Sequence, residues 1–182
     1  MKRYVISDLH LGHEAILKYR TQFATLGDMH WQIERNWNSA VTPQDKVYIL
    51  GDVAFDKQSL SWLNSLNGKK ILIKGNHDIL PLKEYAKYFE DIRGAMEYKG
   101  CILTHIPVHE CQLERFKLNI HGHMHDKTVQ RDIVVKIYDD DMNPRFILKE
   151  FVDTRYINVC CKQVNYTPVL LEDIINDNDT KD

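Results

Sequence analysis

Histidines recur at every second position in one short segment of this chain, "LNIHGHMHD". They are His121, His123 and His125, and Asp8 and His10 show the same spacing near the N-terminus. Because residues two apart lie on the same side of an extended chain, each pair can direct its imidazole or carboxylate atoms at one point. This spacing favours metal coordination, and a pH-sensitive surface loop is the alternative.

Metal-capable residues follow each of five short apolar runs of the chain. In open α/β sheets, ligands bind at the carboxyl ends of the strands, so we expect these residues to meet at one rim. Gly51 and Gly75 allow sharp backbone turns at two of these strand ends. The residues that follow the five runs are Asp8, His10, Asp52, Asn76, His77, Asp78, His105, His123 and His125.

The chemistry of this set restricts the metal. Without His77 and Asp78, seven donors remain, which mix carboxylate, amide and imidazole groups. Such a mixture suits Mn, Fe, Zn or Ni, whereas a calcium site uses oxygen atoms alone and a structural zinc site is rich in cysteine. Seven protein ligands are too many for one tetrahedral ion, and they suit two ions that share a bridging carboxylate.

The elements that must position these residues can be read from the apolar pattern. Buried strands are predicted at residues 4–7, 47–50, 71–73, 101–104 and 118–120, and helices at residues 14–20, 29–41 and 58–66. Strands that alternate with helices predict an α/β domain. The second half is strand-rich, with a hairpin that turns at Lys99-Gly100 and turn signals at residues 139–144.

Composition excludes several functional classes. The 182 residues, 43% hydrophobic and 27% charged, fit one soluble domain, and the net charge of −2 gives no overall attraction to nucleic acid or anionic membrane. Neither a membrane span nor a signal peptide is apparent, and the four cysteines fit reduced thiols of a cytoplasmic chain. We expect a single domain over residues 1–175 and an acidic C-terminal tail over residues 176–182.

Other polar and aromatic side chains have plainer interpretations. Trp31, Trp37 and Trp62 are predicted to face the core. His121 is predicted to pack inside its strand. The three aspartates at residues 139–141 are predicted to form a solvated turn, with a metal site as the alternative.

As a set, these motifs resemble the calcineurin-like metallophosphoesterase superfamily. The matching segments are Asp8-Leu9-His10, Gly51-Asp52, Gly75-Asn76-His77-Asp78, His105 and Gly122-His123-Met124-His125. They span residues 8 to 125, and the order is that of the superfamily. The segments "ISDLHLGHEAI", "WNSAVTPQDKVYILGDVAF" and "YINVCCKQVNYTPVLLEDI" are similar to small stand-alone phosphoesterases of bacteria and their phages.

This resemblance implies an αββα sandwich, in which helices flank two mixed β-sheets, and it implies a role for each site residue. Asp52 would bridge two metal ions, and His77 would face the phosphate and protonate the leaving oxygen. Asp78 would orient and polarise His77. The substrate would contact His13, Asn76 and His77. The alternative for His13, a residue of the rim, is that it only begins a helix. Asp8, His10 and His125 would hold the first ion, and Asn76, His105 and His123 would complete the second.

One sequence difference from the best-known branch of the superfamily restricts the range of expected activities. Serine/threonine phosphatases carry Asp-Arg-Gly after the Gly-Asp motif, whereas this chain has "GDVAFDK". The arginine that clamps phosphate in that branch is missing at its usual place, which argues against protein phosphatase activity.

The expected function is therefore a metal-dependent phosphoesterase. A metal-bridging hydroxide would attack a phosphodiester or phosphomonoester of a small, nucleotide-like substrate. The expected cofactors are two divalent metal ions, Mn²⁺ first, with Fe, Zn, Ni or Mg as alternatives. A nuclease that acts on DNA or RNA is the alternative enzyme, and a non-catalytic scaffold is the third hypothesis. No membrane partner is expected, and the oligomeric state is left open.

Overall fold

The computed structural model describes residues 1–139 and 142–179, and eleven β-strands and four α-helices lie within them. Two short segments lie outside the described residues. They are residues 140–141, which are part of the predicted turn, and residues 180–182, the end of the predicted tail. The strands are β1 (Arg3–Ile6), β2 (Lys46–Ile49), β3 (Lys69–Ile73), β4 (Asp91–Arg93), β5 (Ala95–Tyr98), β6 (Cys101–Thr104), β7 (Leu118–His121), β8 (Gln130–Tyr138), β9 (Pro144–Val152), β10 (Tyr156–Asn158) and β11 (Val169–Leu170). The helices are α1 (Leu26–Ala40), α2 (Lys57–Leu60), α3 (Leu82–Tyr85) and α4 (Leu171–Asp179).

Two mixed sheets form the body of the molecule. The first has the order β11-β1-β2-β3-β4, in which only β11 is antiparallel to its neighbour. The second has the order β10-β7-β6-β5, in which β5 is antiparallel to β6. The prediction of an α/β fold with two mixed sheets and helices is confirmed. All five strands predicted from apolar runs are present, because the pattern of strands buried on both faces is strong.

Alternate residues of the first sheet belong to two separate apolar cores. Ile6, Ile49 and Leu72 pack with α1 on the outer face of the sheet. Val5 and Ile73 point to the opposite face and pack against β6 and β7 of the second sheet. The side-chain period of two therefore places one core under the helices and the other between the sheets.

Helix α1 begins earlier than its apolar pattern indicates. Thr25 and Asp28 form a capping box, since the Asp28 amide donates to Thr25 Oγ1 at 3.1 Å and the Thr25 amide to Asp28 Oδ2 at 2.9 Å. The buried face of the helix carries Ile33 and Trp37, four residues apart. The prediction for Trp31 is wrong, because this residue lies on the other side of the helix and is 58% exposed.

Two other predicted helices are shorter than expected. Residues 14–20 form a 3₁₀ helix over Glu14–Lys18, and residues 58–66 form α2 followed by a 3₁₀ helix over Ser61–Asn64. Trp62 in that second segment is 39% exposed, so its predicted core position is also wrong. The predicted hairpin is β5–β6, and Lys99 and Gly100 both adopt positive φ at its turn, as a type I′ turn requires.

Helix α4 continues through part of the predicted tail, since it extends to Asp179. Its residues Leu171, Ile174 and Ile175 join the core between the two sheets. In the described ranges, no helix is long and apolar enough to cross a membrane.

Candidate metal centre

The carboxyl ends of five strands meet at one edge of the two sheets, and the metal-capable residues follow them there. β1 leads to Asp8 and β2 to Asp52, and the loops are joined because the Asp8 amide donates to Gly51 O and the His10 amide to Asp52 O, both at 3.0 Å. In the second sheet, the Gly122 amide donates to His105 O at 2.9 Å. Backbone hydrogen bonds between loops therefore set the spacing of the site.

Five of the seven candidate ligands have left-handed backbone conformations. Their φ angles are 58° for Asp8, 52° for His10, 54° for Asp52, 66° for His123 and 51° for His125. Aspartate and histidine adopt this region more readily than most residues, but it still costs free energy unless the surrounding structure compensates. Such outliers cluster at functional sites, and here each one turns a side chain toward the other ligand candidates.

Gly122 and Gly75 are required for close approach. A Cβ on Gly122 would lie 2.0 Å from Ser7 Oγ and 2.4 Å from Asp8 Oδ2, and a Cβ on Gly75 would lie 2.3 Å from Asp52 Oδ1. The left-handed turn after Gly122 is made by His123, whose φ is 66°. The two glycines thus bring the β7 and β3 loops against the carboxylates of the site.

Asp8 is held through one oxygen and presents the other to the site. Oδ2 accepts the His123 amide at 2.9 Å and lies 2.5 Å from Ser7 Oγ and 3.0 Å from Cys160 Sγ. Burial alone would raise the pKa of Asp8, but the nearby His10 imidazole, 3.7 Å away, and the hydrogen bonds from Cys160 and Ser7 outweigh it and keep the pKa below the ordinary value. Asp8 is therefore an anchored carboxylate that stays ionised.

The ligand candidates form two adjacent groups. Donor atoms of Asp8, His10 and His125 lie within 4.8 Å of one another, as do those of Asp8, Asp52 and His105. Asn76 extends the second group, because its Oδ1 lies 2.8 Å from His105 Nε2 and 3.0 Å from His123 Nδ1. All seven residues that the sequence singled out as ligands are thus brought together.

Asp52 belongs to the second group and also approaches the first. Its Oδ2 is 3.9 Å from His10 Nε2, and its Oδ1 is 3.4 Å from His105 Nε2. Its two carboxylate oxygens therefore face histidines of different groups, which is the arrangement that a bridging ligand needs.

The donor atoms fit a divalent metal. Asp8 Oδ1 and both ring nitrogens of His10 are buried and have no hydrogen-bond partner among the described residues. Burying polar atoms without partners costs free energy that a bound cation would offset. Burial lowers the pKa of His10 and of His125, so both imidazoles are neutral at neutral pH, which is the form that binds a metal.

Asp78 has different partners from those expected. Its carboxylate accepts the backbone amides of Asp52 at 3.0 Å, Val53 at 2.9 Å and Gly75 at 2.8 Å. Among the described residues, none of its hydrogen bonds reaches the His77 imidazole, because the side chain is fully buried beneath the two loops. Asp78 therefore holds the β2 and β3 loops together and does not orient His77 by direct contact.

His77 and His13 face an open cavity of about 530 Å³ beside the metal-capable groups. Phe55 connects them, since its ring centroid lies 4.0 Å from that of His13 and 5.2 Å from that of His77. His121 does not line this cavity; it is buried in β7, with Nδ1 2.8 Å from Gly122 O. The first histidine of the opening segment thus packs within its strand, as predicted.

Sequence reasoning missed two residues that shape this site. Phe55 follows the Gly-Asp motif, and only its place in that loop could have indicated it. Arg20 is 1% exposed and donates to Leu9 O at 3.0 Å and to Asp8 O at 2.5 Å. A lone arginine after a short helix gives no signal of this in the sequence.

A family model for calcineurin-like phosphoesterases matches residues 1–170. The chain belongs to this family. An uncharacterised protein of Methanocaldococcus jannaschii, MJ1445, is 32% identical over 181 residues, which are 96% of this chain and 89% of that protein. The Gene 66 protein of Mycobacterium phage L5 is 34% identical over 77 residues, which are 40% of this chain and 37% of that protein.

Among solved structures, the calcineurin-like chain is similar to AQ665 of Aquifex aeolicus, described as a protein of unknown function. The TM-score is 0.68 at 24% identity, with 96% of this chain and 98% of that chain covered. This likeness supports the fold. Family membership and the clustered donors together identify a hydrolase family with a candidate site for divalent metal.

Proposed function

We propose that this protein is a phosphoesterase that uses two divalent metal ions to hydrolyse a phosphodiester or phosphomonoester of a small, nucleotide-like substrate. The observation that carries the proposal is Asp52, whose two oxygens face His10 on one side and His105 on the other. A carboxylate in this position can be shared by two ions, one in each group of ligands.

In this proposal each group of donors holds one ion. Asp8, His10 and His125 would hold the first, and Asn76, His105 and His123 would hold the second, with Asp52 shared between them. Mn²⁺ is the first candidate, with Fe, Zn, Ni and Mg as alternatives, because carboxylate, amide and imidazole donors accept all of them. When bound, such ions lower the pKa of water and polarise phosphate oxygens.

His77 is proposed as the acid that protonates the leaving oxygen. Its backbone amide donates to Asp52 Oδ1 at 2.9 Å, so the residue is fixed to the proposed bridging carboxylate. Its ring packs near Phe55 and faces the cavity. A general acid in this position contributes about 10²–10⁴-fold to rate.

The size of the cavity supports a small substrate. Its volume of about 530 Å³ is in the range of pockets that bind small molecules. The stacked rings of His13 and Phe55 form one wall and could pack against a planar group such as a nucleobase, and Lys127 and Lys162 lie at the cavity margin.

The test is hydrolysis of bis(p-nitrophenyl) phosphate, and of nucleotides and cyclic nucleotides, with each divalent metal. We expect activity with Mn²⁺ that is lost with a chelator, lost in Asp52→Asn and reduced about 10²–10⁴-fold in His77→Ala. His109→Ala is the matched control, because His109 is exposed and outside the site. Activity retained in the Asp52→Asn/His77→Ala double variant would contradict the proposal.

A nuclease is the second candidate, because three basic residues share one face of the β8–β9 hairpin. The strand register places Arg131, Arg145 and Lys149 on that face. Metal-dependent cleavage of DNA or RNA that falls in an Arg131→Ala/Lys149→Ala variant, with little activity on nucleotides, would favour this candidate.

A further inference from the structure

Strands β8 and β9 form an arm that is separate from both sheets. They pair over nine residues each, from Gln130↔Val152 to Tyr138↔Pro144, and in the described part of the chain they belong to a two-stranded sheet of their own. At about 3.3 Å per residue the arm is roughly 30 Å long. A two-stranded sheet is at best marginally stable alone in water, so an arm of this length needs something to pack against it.

One face of the arm is strongly apolar and exposed. The register places alternate residues of β8 on this face together with their partners in β9. Each of its five large apolar side chains is more than half exposed, and contiguous patches of this kind mark interaction surfaces. These side chains are Val134 at 64%, Tyr138 at 55%, Phe146 at 67%, Leu148 at 65% and Val152 at 51%.

Charges on the same face are separated along the arm. Asp132 and Glu150 lie directly opposite each other, a like-charge pair that destabilises a hairpin, and neither forms an ion pair with a described residue. Lys136 lies four residues along β8 from Asp132, and its Nζ is 5.1 Å from the centroid of the Tyr138 ring. The Val134↔Leu148 pair lies midway between the acidic and the basic end.

This charge pattern is self-complementary. A two-fold axis can lie in the plane of this face, perpendicular to the strands and through the Val134↔Leu148 pair. Such an axis places each residue of one copy opposite a residue on the same strand of the second copy, at the same distance on the other side of the centre. Asp132 of one copy then lies opposite Lys136 of the other, with Glu150 beside it. Val134 and Leu148 at the centre meet the same residues of the second copy, whereas Phe146 lies opposite Glu150, Tyr138 opposite Gln130 and Val152 opposite Pro144. An isologous dimer needs a surface of this kind.

We propose that this face of the arm packs against the same face of a second copy and makes the protein a homodimer. The proposal is independent of the catalytic activity, because the arm carries none of the candidate metal ligands. Burial of the five apolar side chains drives the association, and the two copies of the contact between Asp132 and Lys136 fix its register.

The first test is the mass of the full chain by light scattering and by sedimentation equilibrium over a range of concentrations. We expect a dimer for the wild type and a monomer for Leu148→Lys. Leu82→Lys is the matched control, because Leu82 is 56% exposed on α3, away from the arm, and this variant should stay dimeric. Circular dichroism and metal affinity of both variants show whether the body of the protein remains folded.

The second test exchanges charges. Asp132→Lys/Glu150→Lys and Lys136→Glu should each be monomeric alone, because like charges then meet across the interface. An equimolar mixture of the two variants should form a dimer, since every opposed pair is again of opposite sign.

A monomeric wild type at all concentrations would overturn the proposal. A dimer that persists in Leu148→Lys would place the interface elsewhere and would also overturn it. Binding of a monomeric wild type to vesicles that contain phosphatidylglycerol, lost in Leu148→Lys, would assign the face to a membrane instead.

Discussion

The carboxylate of Asp78 accepts the backbone amide of Asp52 at 3.0 Å, so a fully buried acid holds the loop that carries the proposed bridging ligand. Asp78→Asn places an amide donor among backbone donors, and we expect metal affinity to fall about 10–100-fold, as when an outer partner of a metal ligand is lost. Calorimetric titration of Mn²⁺ measures this. A pH–rate profile that changes while metal affinity stays constant would instead show that Asp78 acts through His77.

Asp45→Asn is the matched control for that experiment. Asp45 is also a buried carboxylate that accepts two backbone amides, those of Lys2 at 2.7 Å and Thr42 at 3.0 Å. Because it lies at the opposite ends of the strands, its replacement should lower thermal stability and leave Mn²⁺ affinity unchanged.

Gly122→Ala adds only one methyl group, yet we expect it to abolish metal binding. The added methyl group would lie 2.4 Å from Asp8 Oδ2 and 2.0 Å from Ser7 Oγ, so Asp8 must move. Gly94→Ala is the control, because a Cβ there meets nothing within 4 Å. Equal Mn²⁺ affinity for the two variants would contradict the close approach of the β7 loop to Asp8.

His123 and His121 should respond differently to replacement. His123→Ala removes a ring that lies 3.0 Å from Asn76 Oδ1, and we expect phosphoesterase activity to be abolished. His121→Ala leaves a cavity in β7, so it should lower the melting temperature and weaken activity less. A loss of activity in His121→Ala equal to that of His123→Ala, with unchanged stability, would overturn this distinction.

Cys160 should act on the site through Asp8. Its Sγ lies 3.0 Å from Asp8 Oδ2, and burial raises the pKa of the thiol, so the thiol keeps its proton and can donate it. Cys160→Ser retains a donor and should retain Mn²⁺ affinity, whereas Cys160→Val removes the donor and should weaken it severalfold. Equal affinity in both variants would show that the contact is only packing.

Because of Asp45, the free energy of unfolding should depend on pH in the acid range. The Lys2 amide, followed by the Thr42 hydroxyl and amide, lowers the pKa of Asp45 to about 2. A depressed carboxyl pKa gives stability that is fully present above the unfolded value near 4 and is lost as pH falls toward 2. The difference in unfolding free energy between wild type and Asp45→Ala should shrink by about 2 kcal/mol over that interval, as measured by urea denaturation. A constant difference would contradict it.

The regular elements were predictable where their apolar pattern was strong. β1, β2 and β3 are buried on both faces, so their sequences are continuous apolar runs that local pattern alone identifies. Short segments were not predictable in the same way: Glu14–Lys18 carries helical spacing but forms a 3₁₀ helix, because Ile16 is its only buried residue and little packing supports it. The strands of the arm were visible, but their separation from both sheets was not.

The sequence by itself determined which residues can bind metal and which strands carry them, because the donor types and their spacing from each strand are local properties. Only the tertiary structure decided the orientation of Asp52 between His10 and His105, the backbone partners of Asp78, and the approach of Cys160 and Arg20 to Asp8. These contacts join loops that are distant in the chain. They depend on the order of strands in two sheets and on left-handed backbone conformations that the packed body holds in place, and no local pattern records either.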